Sequence, residues 1–267
     1  MNLQQIFSLQ GRTALITGGA GWLGSAMSGA LAEAGARVAI VDIRPEAVKA
    51  CVDALKAAGG DAVGFTADMM QEASIRATVD EVAAACGGLD ILVNCASRSP
   101  ASTLDEVTFD EMQAGFASAS AYLITAQQAV QHMREAAGGS IVNIGSMYGT
   151  VTGYPEIYEG VSKPNPIAYQ AGKAAIHQMT RYMAVYWAAK NIRANTLSPG
   201  PIPDPDKGLY RDNPAFKDFI GRLASKTPLG RIGRPDEFRG PVVFLASQAS
   251  SYITGQQLFV DGGWTVW

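Results

Sequence analysis

Thr13-Ala14-Leu15-Ile16-Thr17-Gly18-Gly19-Ala20-Gly21-Trp22-Leu23-Gly24 opens as a five-residue apolar, β-branched run and passes without a linker into four glycines and a helical stretch ending at Gly35. A run of that length bounded by glycines reads as a buried strand. Glycines let the next turn bend sharply and bring backbone close to a ligand, and a helix that follows adds free amides and the positive end of its dipole. The combination predicts a phosphate cradle. The next apolar run, Val38-Ala39-Ile40-Val41, ends in Asp42, 24 residues beyond Gly18.

The same strand-then-helix rhythm continues along the chain. Apolar or β-branched runs at 13–17, 37–41, 62–66, 90–94, 140–145, 192–197 and 257–260 alternate with longer helical patterns. Parallel strands need such long crossovers and are buried on both faces, so the pattern predicts an α/β fold: a doubly wound, seven-stranded parallel sheet with helices on both faces. No linker or repeat divides it, and residues 1–267 read as one domain. Thr108 with Glu111 forms a capping box that predicts a helix from about 109 to 136, released at Gly138 and Gly139. Pro45 and Pro235 fit first helical turns. The stretch 147–166 and the proline-rich one beginning at Ser198 resist regular assignment. Both follow strands directly and overhang the carboxyl edge of the sheet, which marks 147–166 and 198–228 as substrate loops.

Composition narrows the function classes. Lys and Arg number 21 against 24 Asp and Glu, a net charge of −3 with no basic block, which argues against nucleic acid or an anionic membrane as partner and for a small molecule. With 48% hydrophobic and only 17% charged residues, part of the surface is expected to be covered by another subunit. No apolar stretch approaches the roughly 20 residues of a membrane helix, and Met1 to Gln10 lacks a signal-peptide pattern, so a cytoplasmic protein is expected. Cys51, Cys86 and Cys95 are scattered, and His132 and His177 are the two imidazoles; neither disulfides nor a metal site is expected.

A carboxylate at Asp42 suits both ribose hydroxyls of NAD and repels the 2′-phosphate of NADP, so NAD is expected rather than NADP. Arg44 is near enough in sequence to reach a phosphate. Asp68, after the third strand, suits either an adenine amino group or a helix cap. Farther on, Tyr169-Gln170-Ala171-Gly172-Lys173 spaces a phenol and an ammonium by four residues, which puts both on one helix face. An adjacent ammonium favours phenolate and brings its pKa toward the working pH. Ser146 closes Ile141-Val142-Asn143-Ile144-Gly145-Ser146 and can face the same crevice.

Taken together the chain resembles the short-chain dehydrogenase/reductase superfamily in its single-domain branch. The matching residues are the glycine-rich turn, Asp42, Asp68, Asn94-Cys95-Ala96-Ser97, Ser146, Tyr169 with Lys173, Asn195 to Gly200, and Gly255 with Val260-Asp261-Gly262-Gly263. The resemblance implies hydride transfer between a nicotinamide and a secondary alcohol or ketone. Tyr169 would be the general acid/base, Ser146 would hold the substrate oxygen, and Lys173 would hold the nicotinamide ribose and depress the Tyr169 pKa. The expected cofactor residues are Gly18, Gly21, Trp22, Leu23, Gly24, Asp42, Asp68, Asn94, Ala96, Tyr169, Lys173, Pro199, Gly200 and Ile202.

Four departures stand out. Trp22 replaces the middle glycine of the turn. The Asn-Asn-Ala-Gly pattern appears as Asn94-Cys95-Ala96-Ser97. The relay asparagine on the helix before the Ser146 strand is missing, leaving Ser118, Ser120 or a water to replace it. About ten extra residues separate Ser146 from Tyr169; Tyr158 suits that spacing better, but Lys163 is five residues on and Pro164 and Pro166 interrupt any helix there, so Tyr169 is retained.

The opening Phe7 to Thr13 and the overall pattern resemble bacterial sugar, polyol and sugar-acid dehydrogenases. The alternatives are a 3-oxoacyl or other ketone reductase and, in a different class, a non-catalytic nucleotide-binding regulatory protein. Candidate substrate contacts are Arg98, Ser146, Tyr154, Tyr158 and Tyr169, with Glu156, Glu159, Lys207 and Arg211 in the same loops. The helix after Tyr169 is apolar over more than one stripe, and in the resembling family it builds dimers and tetramers; a homo-oligomer is expected. His177 reads as buried packing. Trp264 and Trp267 read as subunit-contact anchors or as a lid on a neighbour's site.

Overall fold

The computed structural model describes residues 1–98, 102–134, 138–206, 210 and 213–267. Its centre is a parallel sheet of β1 (Thr13–Thr17), β2 (Arg37–Asp42), β3 (Asp61–Thr66), β4 (Ile91–Asn94), β5 (Gly139–Ile144), β6 (Ile192–Pro199) and β7 (Gln257–Val260), in the order β3-β2-β1-β4-β5-β6-β7. The seven expected strands are all present. β6 runs on through Ser198 and Pro199, which pair with Phe259 and Val260, so the irregular stretch begins later than the prolines suggested.

Alternate residues of the inner strands enter opposite cores. Ala14, Ile16, Val38, Ile40, Val142 and Leu197 pack against Met27 and Leu31 of α2 (Trp22–Glu33), Val48 and Val52 of α3 (Pro45–Ala57), and Val242 and Leu245 of α9 (Arg239–Ala246). Leu15, Ala39, Val41, Leu92, Ile141 and Ala194 pack on the other side against Ile75 and Val79 of α4 (Glu72–Cys86), Ala126 and Ala129 of α6 (Ala117–His132), and Met183 and Ala184 of α7 (Ile167–Tyr186). Burial on both faces is why the strands read as continuous apolar runs rather than alternating ones. The short α1 (Leu3–Phe7) lies at the N-terminus, and α8 (Phe216–Ser225) belongs to the loop region after β6.

The single helix expected over 109–136 is two. The capping box of Thr108 and Glu111 opens α5 (Phe109–Gly115), the chain tightens at Phe116, whose amide donates to Gln113 rather than to residue 112, and α6 then runs to His132. The cause is a close crossing with α7: a Cβ on Gly115 would lie 2.6 Å from the Ala168 Cβ, and one on Gly172 would lie 2.4 Å from the Gly115 carbonyl oxygen. Two backbones in contact fix where Tyr169 and Lys173 sit.

The carboxyl ends of β1, β2, β4, β5 and β6 share one edge, and β1 is where the winding reverses, with β2 on one side and β4 on the other. Ligands of open α/β sheets bind at that crevice. Among the described residues no helix is long and apolar enough to cross a membrane, no His, Cys, Asp and Glu cluster is set to hold a metal, and all three cysteines are free.

Candidate active site

At the end of β1, Gly18 turns with φ +65°, and a Cβ there would lie 2.9 Å from the Ala96 amide nitrogen. A Cβ on Gly24 would lie 2.0 Å from the Gly18 carbonyl oxygen, so the turn closes on its helix with no room for a side chain. Gly21 is the N-cap of α2 and offers no side-chain cap. The amides of Trp22, Leu23 and Gly24 therefore have no intrahelical acceptor and are free for an anion. The Leu23 side chain packs into the core and the Trp22 ring is partly exposed, so these two residues offer the cradle their backbone. Thr17 Oγ1 accepts from the amides of Cys95 (3.1 Å) and Ala96 (3.3 Å) and pins that segment against the turn. A cradle with no space for a Cβ and three free helix amides fits a dinucleotide pyrophosphate.

Asp42, 6% exposed at the end of β2, receives a forked contact from Arg44, with Nε to Oδ1 at 3.0 Å and Nη2 to Oδ2 at 3.2 Å. The same Nη2 also reaches the Ala20 carbonyl oxygen at 3.1 Å, so the guanidinium bridges the acid and the glycine-rich turn. Asp68 Oδ1 accepts from the Met70 amide at 2.9 Å, which is its turn-capping role, one residue before the α4 N-cap, Gln71. On the far side Gly200 lies so close to Asp261 that a Cβ would be 2.4 Å from its Cα; Pro199 ends β6 and Ile202 packs on the core.

Asn94 departs from its expected role along the cofactor. Its side chain is fully buried and donates inward to the Tyr122 carbonyl oxygen (3.2 Å) and to Asn143 Oδ1 (2.9 Å). Polar strand residues in a two-sided core find partners in each other because water is excluded. The residues of this segment beside the turn are Cys95 and Ala96.

Ser146 follows β5 and caps a short 3-10 turn, Met147–Gly149, accepting from the Tyr148 amide at 3.1 Å. Its hydroxyl also lies close enough to the Tyr169 phenol to draw the phenol's pKa down. Lys173, one turn along α7, is 4% exposed, and its Nζ donates to the Ile144 carbonyl oxygen at 2.8 Å. Sequence spacing thus does bring Ser146, Tyr169 and Lys173 together. The electrostatics differ from expectation: burial raises the Tyr169 pKa and only the neighbouring Ser146 hydroxyl draws it down, while burial lowers Lys173 to about 8. The same dry surroundings penalise both charged forms, the phenolate of Tyr169 and the ammonium of Lys173.

The expected substitutes for the relay asparagine are otherwise engaged. Ser118 Oγ accepts from the Arg98 amide and donates to the Arg98 carbonyl oxygen, both at 3.0 Å, and Ser120 is exposed. Sequence reading missed Tyr122, one turn beyond Ser118, which is fully buried beside Lys173. Its i+4 position from Ser118 was the available signal.

The extra segment before Tyr169 forms an aromatic wall. Tyr148 and Tyr158 are buried with their hydroxyls 3.0 Å apart, burial pushes Tyr148 up to about 12, and Tyr158 packs on Phe219 of α8. The Tyr169 ring borders this cluster. Tyr158 is therefore a wall residue whose hydroxyl Tyr148 already holds. Tyr154 lies at the outer rim, against Trp264 and under the Lys226 ammonium at 4.2 Å. Trp264 is buried within its own chain, contrary to the subunit-anchor expectation, and exposed Trp267 donates to the Lys226 carbonyl oxygen at 3.0 Å. His177 is buried as expected, though by its own chain, with Thr150, Ser198 and Gln257 around its ring. Arg98 is exposed; Lys207 and Arg211 lie outside the described residues.

A family model described as enoyl-(acyl carrier protein) reductase matches residues 19–265. D-threitol dehydrogenase of Mycolicibacterium smegmatis is 34% identical over 97% of this chain and 95% of that one. Galactitol 2-dehydrogenase (L-tagatose-forming) of Cereibacter sphaeroides is 33% identical over the whole of both chains. Among solved structures, a gluconate 5-dehydrogenase from Burkholderia cenocepacia in complex with NADP and tartrate superposes with a TM-score of 0.84 at 34% identity, covering 99% of each chain.

Proposed function

Since the chain belongs to the short-chain dehydrogenase/reductase family, we propose that it oxidises a secondary alcohol of a sugar, polyol or sugar acid to the ketone, with NAD as its cofactor. The observation that carries this reading is the buried Lys173 amine 5.6 Å from the Tyr169 ring centroid, with Ser146 near enough to the phenol to draw its pKa down, at the crevice the glycine-rich turn opens. A bound nicotinamide would supply the hydride acceptor or donor; the protein positions and tunes. Gly18, Gly21 and the amides of residues 22–24 would hold the pyrophosphate, and Asp42 the ribose hydroxyls. Ser146 fixes the substrate oxygen, Tyr169 takes or returns its proton, and Lys173 places a cation beside the phenol once proton and cofactor are in place.

Arg44 supports a second reading of the cofactor. Its guanidinium already offsets the Asp42 charge and lies next to the turn, where a 2′-phosphate would find a cation. Measured NAD and NADP dissociation constants decide between them. A preference for NAD that narrows in Asp42→Asn supports the first reading, and a preference for NADP that Arg44→Ala abolishes supports the second.

The active form is a homo-oligomer, a reading supported by Tyr182, Val185 and Tyr186, which are 68%, 80% and 67% exposed on one face of α7. The aromatic wall of Tyr148 and Tyr158 suits the apolar faces of a polyhydroxylated ligand. Following NADH formation with sugars, polyols, hydroxy acids and simple cyclic alcohols tests the substrate class. Turnover confined to polyhydroxylated compounds is expected, and binding of NAD without turnover on any of them would favour a nucleotide-binding regulator.

A further inference from the structure

Lys173 is a buried cation whose described neighbours include no carboxylate. Its ammonium meets one carbonyl, Ile144 O at 2.8 Å, and lies 5.6 Å from the ring centroids of both Tyr169 and Tyr122. Aromatic faces attract a cation through their quadrupoles, and more strongly where water is excluded. Tyr122, on α6, donates its hydroxyl to that same Ile144 oxygen at 3.4 Å. Burial raises the Tyr122 pKa well above its ordinary value of 10.0, so the hydroxyl stays protonated and acts as a donor.

Tyr122 is itself fixed from beneath. Asn94 Nδ2 donates to the Tyr122 carbonyl oxygen and to Asn143 Oδ1, Asn143 Nδ2 donates to Thr180 Oγ1 at 2.9 Å, and Thr180 Oγ1 donates to the Ile176 carbonyl oxygen at 2.7 Å. The chain of bonds laces β4, β5, α6 and α7 together beneath the amine.

We propose that Tyr122 is a positioning residue for Lys173, its ring forming one wall of the ammonium socket and the Tyr169 ring another, and its hydroxyl sharing the Ile144 carbonyl. A carbonyl that serves two donors holds each less firmly than one, so the Tyr122 hydroxyl weakens the hold on the ammonium and helps keep the amine easy to deprotonate. The titratable groups facing the amine are Tyr122 from α6, Tyr169 and His177 from α7, and Cys95 after β4. His177, driven by burial to about 4, stays neutral, and Cys95, pushed to about 11, stays a thiol.

The inference deepens the dehydrogenase reading, yet its test needs no substrate. In NMR of lysine-labelled protein, with the Lys173→Met spectrum as assignment, the Lys173 side chain should titrate near pH 8. Tyr122→Phe keeps the ring and should raise that midpoint by roughly 0.3 to 1 pH unit, because Ile144 then serves the ammonium alone. Tyr122→Leu removes one of two ring currents and should move the Lys173 ε-proton resonance. A Tyr122→Phe midpoint equal to or below the wild type's overturns the proposal, as does an unmoved ε-proton resonance; should the leucine variant not fold, the phenylalanine variant decides. A protein inactive on every alcohol but with the raised midpoint would remove the dehydrogenase reading and leave this one standing.

Discussion

Lys173 shows how one side chain carries a cost to the fold that the site uses. Its ordinary pKa of 10.5 falls to about 8 because burial penalises the charge. Between those values the unfolded chain binds more protons than the folded one, so stability rises with pH through that window, and below pH 8 the full penalty is present. Lys173→Met should therefore raise the melting temperature by several degrees at pH 7, with the gain shrinking toward pH 10.5. A calorimetric difference that stays constant with pH would contradict the burial argument. At the same scale Asp42 and Arg44, two residues apart, were individually legible, but their forked bond was not, because it depends on how the turn after β2 brings the guanidinium back over the acid. The same limit applies to Asn94. Its motif suggested a cofactor contact, while the partners that draw it inward, Tyr122 and Asn143, are 28 and 49 residues away.

Among elements, the strands were read within a residue or two because the inner ones are short apolar runs forced by two-sided burial. The break at Phe116 was not, since it arises from contact between α5 and α7, a tertiary fact with no local signature beyond Gly115 and Gly172. That crossing carries the site. Gly172→Ala would put a Cβ 2.4 Å from a backbone oxygen that cannot swing away, and it should cost about 1–3 kcal/mol in denaturant unfolding and lower turnover together. Gly221 in α8 is the control: a Cβ there meets nothing within 4 Å, so Gly221→Ala should leave activity unchanged and add about 0.5–1 kcal/mol through helix propensity. Equal effects at the two glycines would show that the crossing does not constrain α7. The wall formed by Tyr148 and Tyr158 was half legible: the segment's aromatic content was plain, but the pairing of the two hydroxyls depends on the 3-10 turns that fold it.

At the scale of the whole molecule, the low charged fraction pointed to covered surface, and the exposed α7 face, with Tyr182 and Tyr186 stacked at 5.8 Å, is where a second copy should dock. If the protein self-associates through this face, replacing Val185 and Tyr186 by glutamate should lower its sedimentation coefficient, and an unchanged coefficient would show that this face is not a subunit contact. The proposed role of the Tyr169 phenol, beside Ser146 and Lys173 at the edge of the sheet, is to move the proton. Its most direct test is the rate of NADH formation by Tyr169→Phe on the best substrate, with NAD affinity measured alongside. The expected result is a loss of about 10²- to 10⁴-fold in kcat with the dissociation constant for NAD little changed; a variant that retains the wild-type kcat would show that the proton moves through some other group.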